Sequence, residues 1–140
     1  ILLWTMFEST IHAWDALNAV DERYLVDEDL APLLPQYFCN KLINRWFKTT
    51  DSVETPSQTL AVNLGSSHWV RISSTNGELD IDEYCINSFD SEAEIHTSPS
   101  EFALLITGRK SLTESIEDTS TQLTGDQSFV NSFSKWFTGS

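Results

Sequence analysis

Basic residues are scarce in this sequence. Its 140 residues contain 8 Lys and Arg against 21 Asp and Glu, which gives a formal net charge of −13 at pH 7. This composition excludes nucleic acid as a partner, because phosphate binding needs clustered Lys and Arg. An acidic surface instead favours basic partners and raises their rate of encounter, although a requirement for solubility explains the charge equally well.

Cysteine and histidine are also sparse. The two cysteines are Cys39 and Cys85, no CxxC motif is present, and the three histidines are scattered at positions 12, 68 and 96. These spacings do not fit a zinc site, so we expect no metal and no cofactor. Two free thiols indicate a reducing intracellular compartment, the cytoplasm or nucleus of a host or source cell.

Long apolar runs are absent. No segment approaches the roughly 20 apolar residues that span a bilayer, and no signal-peptide pattern is visible, so no membrane partner is expected. Hydrophobic residues make up 40% of the chain, which is enough for one compact, monomeric domain over residues 1–140. Because the chain does not begin with Met, we expect a domain cut from a longer protein.

Local patterns predict an α+β domain with a small central, mainly antiparallel sheet flanked by helices. Residues 1–20 fit one amphipathic helix or a strand followed by a short helix, and residues 36–48 fit a clear amphipathic helix. Strands are predicted over 59–64 and 68–73, and Asn76-Gly77 predicts a type I′ turn into a returning strand over 79–89.

Helix start and stop signals organise the C-terminal half. Ser98-Pro99-Ser100-Glu101 is a capping box that starts a helix, and Gly108 ends that helix. The polar segment 111–124 gives no clear assignment, with a strand ending near Gln122 as one option. A last helix is predicted to begin at Ser128.

The stretch Leu60–Trp69 reads as a buried strand that ends in a turn and delivers His68 and Trp69 together. A histidine at the end of a strand is well placed to carry protons, because its pKa lies near neutrality. The alternative is a structural histidine beside a core tryptophan. Downstream follow a carboxylate, an amide and a hydroxyl: Asp90, Gln122 and Ser128. Ser128 could serve only as a helix cap, but the positive end of a helix also favours a developing anion.

This order resembles the clan CE cysteine peptidases, and in particular the ubiquitin-like-protein proteases that process SUMO. The C-terminal resemblance rests on the pair His68-Trp69, on Phe89-Asp90-Ser91, and on the spacing of Gln122, Gly125 and Ser128. In the N-terminal half, residues 24–30 and 38–46 are similar to two further segments of the family. The sequence departs from the family pattern at three positions, with Ser128 for Cys, Phe129 for Gly and Tyr24 for a tunnel Trp.

The resemblance implies a papain-like or adenain-like cysteine protease fold. It further implies that residue 128 attacks a peptide or isopeptide bond after a Gly-Gly tail, with His68 as base and Asp90 as its orienting carboxylate. Gln122 would stabilise the oxyanion, and Trp69 and Tyr24 would enclose the substrate tail. For Trp69 the alternative is core packing. The implied partner is ubiquitin or a ubiquitin-like modifier.

Ser128 leaves three explanations open: an engineered Cys→Ser exchange, a natural pseudoenzyme that only binds the modifier, or a working serine variant. A thiolate is intrinsically more nucleophilic than a serine hydroxyl, so the protein is expected to be inactive as written. A viral polyprotein protease is a further alternative. An acyltransferase on the same fold ranks last, because basic residues that would hold an acyl-coenzyme donor are few.

Overall fold

The structure is a computed structural model that describes residues 2–21, 26, 29, 33, 57–65, 68–75, 78–84 and 89–137. The N-terminal segment forms a single helix rather than a strand and a helix. The described elements in chain order are α1 (Leu2–Asn18), β1 (Gln58–Asn63), β2 (Trp69–Thr75), β3 (Glu78–Tyr84), β4 (Ala93–His96), α2 (Pro99–Ile106), α3 (Leu112–Glu117), β5 (Gln122–Gly125) and α4 (Phe129–Trp136). The predicted helix over 36–48, Tyr24 and both cysteines lie outside the described residues.

The strands form one five-stranded sheet in the order β3-β2-β1-β4-β5. Neighbouring strands are antiparallel except β1 and β4, which are parallel. This confirms the predicted α+β class with a mainly antiparallel central sheet and flanking helices. The parallel pair requires a crossover, because β4 does not lie beside β3 but on the far side of β1.

The β2–β3 hairpin has the predicted connection length. Thr75 pairs with Glu78 at the end of the ladder, so two residues join the strands, as the Asn76-Gly77 signal predicts. The turn itself lies outside the described residues. Among the described residues the returning strand covers Glu78–Tyr84, and Phe89, at the end of the predicted strand, lies outside any strand.

One face of the sheet carries the hydrophobic core. Side chains alternate between the two faces of a strand, and Leu60, Val62, Val70 and Ile72 are all fully buried on the same face. Residues of α1, α2, α3 and α4 belong to the same apolar cluster, among them Phe7, Phe102, Leu112 and Phe133. The opposite face carries polar side chains as well as Ala61 and Trp69: Arg71 and Asp82 are register partners there and form an ion pair at 2.7 Å.

The start and stop of α2 follow the predicted signals. The hydroxyl of Ser98 accepts a hydrogen bond from the Glu101 N–H, and Pro99 occupies the first turn. At the other end Gly108 has φ +70°, and the N–H groups of Gly108 and Arg109 donate to the carbonyls of Leu105 and Leu104. This is a Schellman motif, which glycine favours because a Cβ opposes positive φ.

The complete capping box belongs to α3, which the sequence pattern did not assign. The Ser111 hydroxyl accepts from the Glu114 N–H at 3.1 Å, and the Glu114 carboxylate accepts from the Ser111 N–H at 2.8 Å. The signal was present in the sequence as Ser-x-x-Glu. At α2 the equivalent carboxylate, that of Glu101, is instead buried against α3.

Candidate functional site

His68 lies in the turn between β1 and β2. Its backbone N–H donates to Gly65 and its carbonyl accepts from Leu64, so it is fixed by the turn that joins the two strands. Trp69 begins β2, and its ring packs edge-on against the rings of Phe89 and His96, with centroids 6.5 Å and 5.8 Å apart. Trp69 therefore lies at one end of the sheet in an aromatic contact.

The segment from Gln122 to Ser128 spans the whole length of β5. Gln122 is exposed and pairs with His96, whereas Gly125 pairs with Ala93 at the opposite end of the ladder. Asp126 then accepts the Ser128 N–H at 2.9 Å through its carboxylate. Ser128 itself has helical backbone angles and makes no side-chain capping bond, so the capping side chain at the start of α4 is that of Asp126 and not that of Ser128.

The structure does not bring His68 and Ser128 together. Asn63, at the His68 end of β1, pairs with Trp69, whereas Gln58, at the other end, accepts a hydrogen bond from Ser132 of α4. The six residues of β1 separate these ends by roughly 16 Å at the usual rise of a strand. Proton transfer between a base and a nucleophile requires contact within about 3 Å or through one water.

The remaining predicted residues are spread over the sheet. Asp90 is exposed and lies between Phe89, which contacts Trp69, and Glu92, whose N–H donates to the Thr59 carbonyl. Trp69 and Gln122 lie in one row, but β1 and β4 separate their strands by roughly 14 Å. Tyr24 lies outside the described residues.

A pocket opens instead between the α2–α3 corner and α4. It has a volume of about 340 Å³, within the range of small-molecule sites. Its floor consists of four buried apolar side chains: Leu105, Leu112, Phe133 and Phe137. Its rim consists of Gly108, Arg109, Lys110, Ser111, Glu114 and Ser134. We call this the α2–α4 pocket.

Two helix boundaries and one aromatic pair build the α2–α4 pocket. The Schellman motif at Gly108 turns the chain away from α2, and Ser111 restarts it as α3, so the two helix ends form one wall. Phe133 and Phe137 lie one turn apart and form the other wall, with ring centroids 4.8 Å apart. The sequence predicts the α2 and α4 residues of the pocket as helical and leaves segment 111–124 without a clear assignment, and it gives no signal that the helix ends enclose a pocket.

The two cations at the pocket rim are held by carboxylates. Arg109 donates to both carboxylate oxygens of Asp15 at 2.8 Å, which joins α1 to the pocket. Lys110 contacts Asp118 at 2.5 Å and also forms an ion pair with Glu101. Asp15 lies inside α1 and there accepts from the Arg109 guanidinium.

A chain of buried hydroxyls continues inward from the pocket rim. Glu101 is buried and accepts from the Ser115 hydroxyl at 2.5 Å. Ser115 is in turn 2.6 Å from the Thr121 hydroxyl, which lies 2.8 Å from that of Thr97. The chain links α2, α3 and the segments flanking β4 and β5. Glu101, Ser115 and Thr121 are buried, and Thr97 is half-buried.

No protein-family model and no curated protein matches this chain. Among solved structures, sterol carrier protein-2 like-3 from Aedes aegypti is similar with a TM-score of 0.55 and 19% identity, over 71% of this chain and 93% of that one. The UbiJ-SCP2 ubiquinone synthesis protein is similar with a TM-score of 0.50 and 19% identity, over 74% and 90%. The chain shares its fold with SCP2-like domains.

A larger enzyme contains a similar region. A double-mutant form of the sec-alkyl sulfatase PisA1 is similar with a TM-score of 0.54 and 16% identity, over 68% of this chain. The chain spans 15% of the length of that sulfatase. The likeness therefore concerns one part of the enzyme and shows a shared fold.

The SCP2-like fold corrects the protease interpretation. The predicted clan CE family, the cysteine peptidase activity and the ubiquitin-like partner are wrong, because the structural neighbours are SCP2-like domains. The α+β part of the fold prediction holds, but the papain-like or adenain-like fold is not shown. The pseudoenzyme, viral protease and acyltransferase alternatives depended on the same resemblance. The catalytic roles of His68, Asp90, Gln122 and Ser128 depended on it too, and the sheet separates two of these residues by its full length.

The motif spacing has local structural causes. Gly65 and Gly125 both have positive φ, at a strand-joining turn and at the end of β5. Ser128 lies three residues after Gly125 because α4 begins at Phe129, soon after β5 ends. No helix in the described part of the chain is long and apolar enough to cross a membrane.

Hydrogen bonds lower the pKa of several carboxyls around the site. The Lys110 ammonium and then Ser120 lower the pKa of Asp118 to about 2. The hydrogen bond from Arg109 lowers the pKa of Asp15, and the Ser111 N–H lowers the pKa of Glu114. These groups prefer to be ionised in the folded state.

We expect acid to destabilise the domain. A carboxyl whose pKa is lower in the folded than in the unfolded state contributes stability above its unfolded pKa of about 4, and this is lost as the pH falls toward 2. The urea midpoint should therefore decrease between about pH 5 and about pH 2. Solvent screening limits the share of Asp118, whose side chain is 49% exposed.

The variant Asp118→Asn tests whether the Lys110–Asp118 pair contributes to this loss of stability in acid. Its urea midpoint should depend less steeply on pH over the same interval, because one of the titrating groups is gone. An unchanged slope would show that the Lys110–Asp118 pair does not contribute to the acid sensitivity.

Proposed function

We propose that this domain binds a molecule with a long apolar part in the α2–α4 pocket. The observation that carries the proposal is the pocket floor, which four buried apolar side chains form at the base of a cavity of small-molecule size. The shared fold supports it, since the names of the similar proteins refer to sterols, ubiquinone and alkyl sulfates. Each of these compounds has an extended hydrocarbon part.

The chemistry of the floor suits aliphatic chains and fused rings. Phe133 and Phe137 present tilted aromatic rings, and Leu105 and Leu112 present branched alkyl groups. These side chains offer contact area but few hydrogen-bond partners, so the binding affinity should come mainly from removing apolar ligand surface from water. Each buried methylene contributes about 0.8 kcal/mol, which corresponds to roughly fourfold in Kd.

A homologous series of straight-chain alcohols tests this mechanism. We expect the Kd to decrease roughly fourfold per added methylene until the pocket is filled, and then to level off. The measurement is displacement of the neutral, environment-sensitive dye Nile red. An affinity that does not change with chain length would contradict binding by apolar burial.

A variant that blocks the pocket opening tests whether the ligand binds in the α2–α4 pocket. Ser134 lies on the rim and is exposed, so Ser134→Trp should fold normally and place an indole across the opening. We expect the affinity for dodecanol to fall at least about tenfold, since a bulky group displaces the ligand. The matched control is Asn131→Trp, an exposed position on the same helix that does not line the pocket. Equal loss, or no loss, in both variants would place the ligand elsewhere.

A further inference from the structure

We infer that the α2–α4 pocket selects molecules with an uncharged polar end and discriminates against carboxylates, phosphates and sulfates. This inference rests on the proposed function, because it concerns which apolar molecules the same pocket accepts. It derives from the charges at the rim, taken together with the groups that already contact them.

Arg109 is the first cation that an anionic head group would meet. Its side chain is 18% exposed, and its Nε and Nη2 groups donate to the two oxygens of Asp15 at 2.8 Å. Its Nη1 group donates to the Thr107 carbonyl at 3.2 Å. The forked face that would bind a ligand carboxylate bidentately is therefore occupied by a carboxylate of the protein.

Lys110 is the second cation, and it is compensated twice. Its ammonium contacts the carboxylates of both Glu101 and Asp118. Glu101 is buried, and the Ser115 hydroxyl donates to the same carboxylate oxygen that Lys110 contacts. A ligand anion would have to compete with two carboxylates for one ammonium group.

The start of α3, which also lies on the rim, carries its own anion. Backbone amides at a helix N-terminus favour negative charge, but the Glu114 carboxylate already accepts from the Ser111 N–H and hydroxyl. The rim cations Arg109 and Lys110 thus face four carboxylates, those of Asp15, Glu101, Glu114 and Asp118. The local balance is negative, and the net charge of −13 adds repulsion of anions at longer range.

A hydroxyl or ether end meets no such repulsion. The Ser111 hydroxyl donates to Glu114 and the Ser134 hydroxyl donates to the Val130 carbonyl, so each oxygen can still accept a hydrogen bond from the hydroxyl of a neutral ligand. We therefore expect long-chain alcohols, sterol-like alcohols or isoprenoid alcohols to bind in preference to fatty acids of the same length.

The test compares 1-dodecanol with dodecanoate in Nile red displacement at about pH 8, where a carboxylic acid is ionised. We expect the alcohol to bind at least about tenfold more tightly. Equal affinities, or tighter binding of the acid, would overturn the inference while leaving apolar binding intact. If neither ligand displaces the dye, the proposed function itself fails.

Releasing Arg109 should reverse the preference. In Asp15→Asn the guanidinium loses its carboxylate, so the affinity for dodecanoate should rise about fivefold or more while that for dodecanol stays constant. Asp80→Asn removes the same charge from an exposed position on β3 and should change neither the affinity for dodecanoate nor that for dodecanol. Circular dichroism verifies that both variants fold.

Glu114→Gln provides a second, independent variant. It keeps the hydrogen-bond acceptor of the capping box but removes the negative charge from the rim. A gain for dodecanoate in both rim variants and none in Asp80→Asn supports local discrimination. Equal gains in all three variants would mean that net charge, rather than the pocket rim, excludes anions, and would overturn the inference.

Discussion

Replacing Gly125 with alanine is expected to destabilise the domain by roughly 3–5 kcal/mol, because backbone strain and a steric clash add. Gly125 has φ +90°, which side chains oppose. A Cβ there would lie 2.5 Å from the Glu92 carbonyl oxygen and 2.9 Å from the Ala93 Cα. Both atoms belong to the backbone at the start of β4, so no side-chain rotation relieves the contact.

The chain offers a matched control for Gly125→Ala. Gly65 has a similar φ of +101°, but an added Cβ would meet no atom within 4 Å. Gly65→Ala should therefore cost only the conformational strain, about 1–2 kcal/mol. Urea unfolding of both variants, followed by circular dichroism, separates strain from clash. A cost for Gly125→Ala no larger than that for Gly65→Ala would contradict the close approach of β5 to β4.

Replacing Glu101 with alanine is expected to cost roughly 3 kcal/mol, since it removes one of the two carboxylates that hold a partly buried cation and one of the two partners of a buried hydroxyl. Glu101 is 6% exposed and is the acceptor for both Lys110 and the fully buried Ser115. The Lys110 side chain is only 20% exposed, so water replaces the lost partner incompletely.

The conservative variant Glu101→Gln separates the charge from the hydrogen bond. Glutamine still accepts from Ser115 but no longer neutralises Lys110, so we expect about half the loss seen with alanine. Glu117→Ala, an exposed position on α3, should change the unfolding free energy by less than about 0.5 kcal/mol. Equal stability of Glu101→Ala and the native protein would mean that the buried polar chain is energetically neutral.

Helix boundaries and turns that depend on neighbouring residues could be predicted from the sequence alone. Pro99 and Ser98 start α2, Gly108 ends it, and a two-residue connection joins β2 to β3. These features depend on capping groups and on positive φ within four or five residues, which is why composition and spacing reveal them. The Ser111-x-x-Glu114 capping box belongs to the same class, and its signal was available to the sequence analysis.

Local features of this kind also produce the order of residues that resembles a protease. A turn places His68 before a strand, and a helix begins at Phe129, directly after Ser128. Whether a base and a nucleophile meet, however, depends on how the strands between them pair. Here β1 lies between the two positions, with His68 beyond its end and Ser128 near its start. Order along a chain does not contain this information.

The sequence by itself determined the α+β class, the acidic surface and the boundaries of α2, because these follow from composition and from interactions between near neighbours. Only the tertiary structure decided the strand order, with β4 beside β1, and the enclosure of the α2–α4 pocket. It also joined Asp15 to Arg109, which are 94 residues apart in sequence, so that the Arg109 charge at the pocket rim is paired with a carboxylate of the protein. The physical reason is that these contacts form when the core packs, and packing joins side chains whose separation in sequence leaves no periodic or local signal.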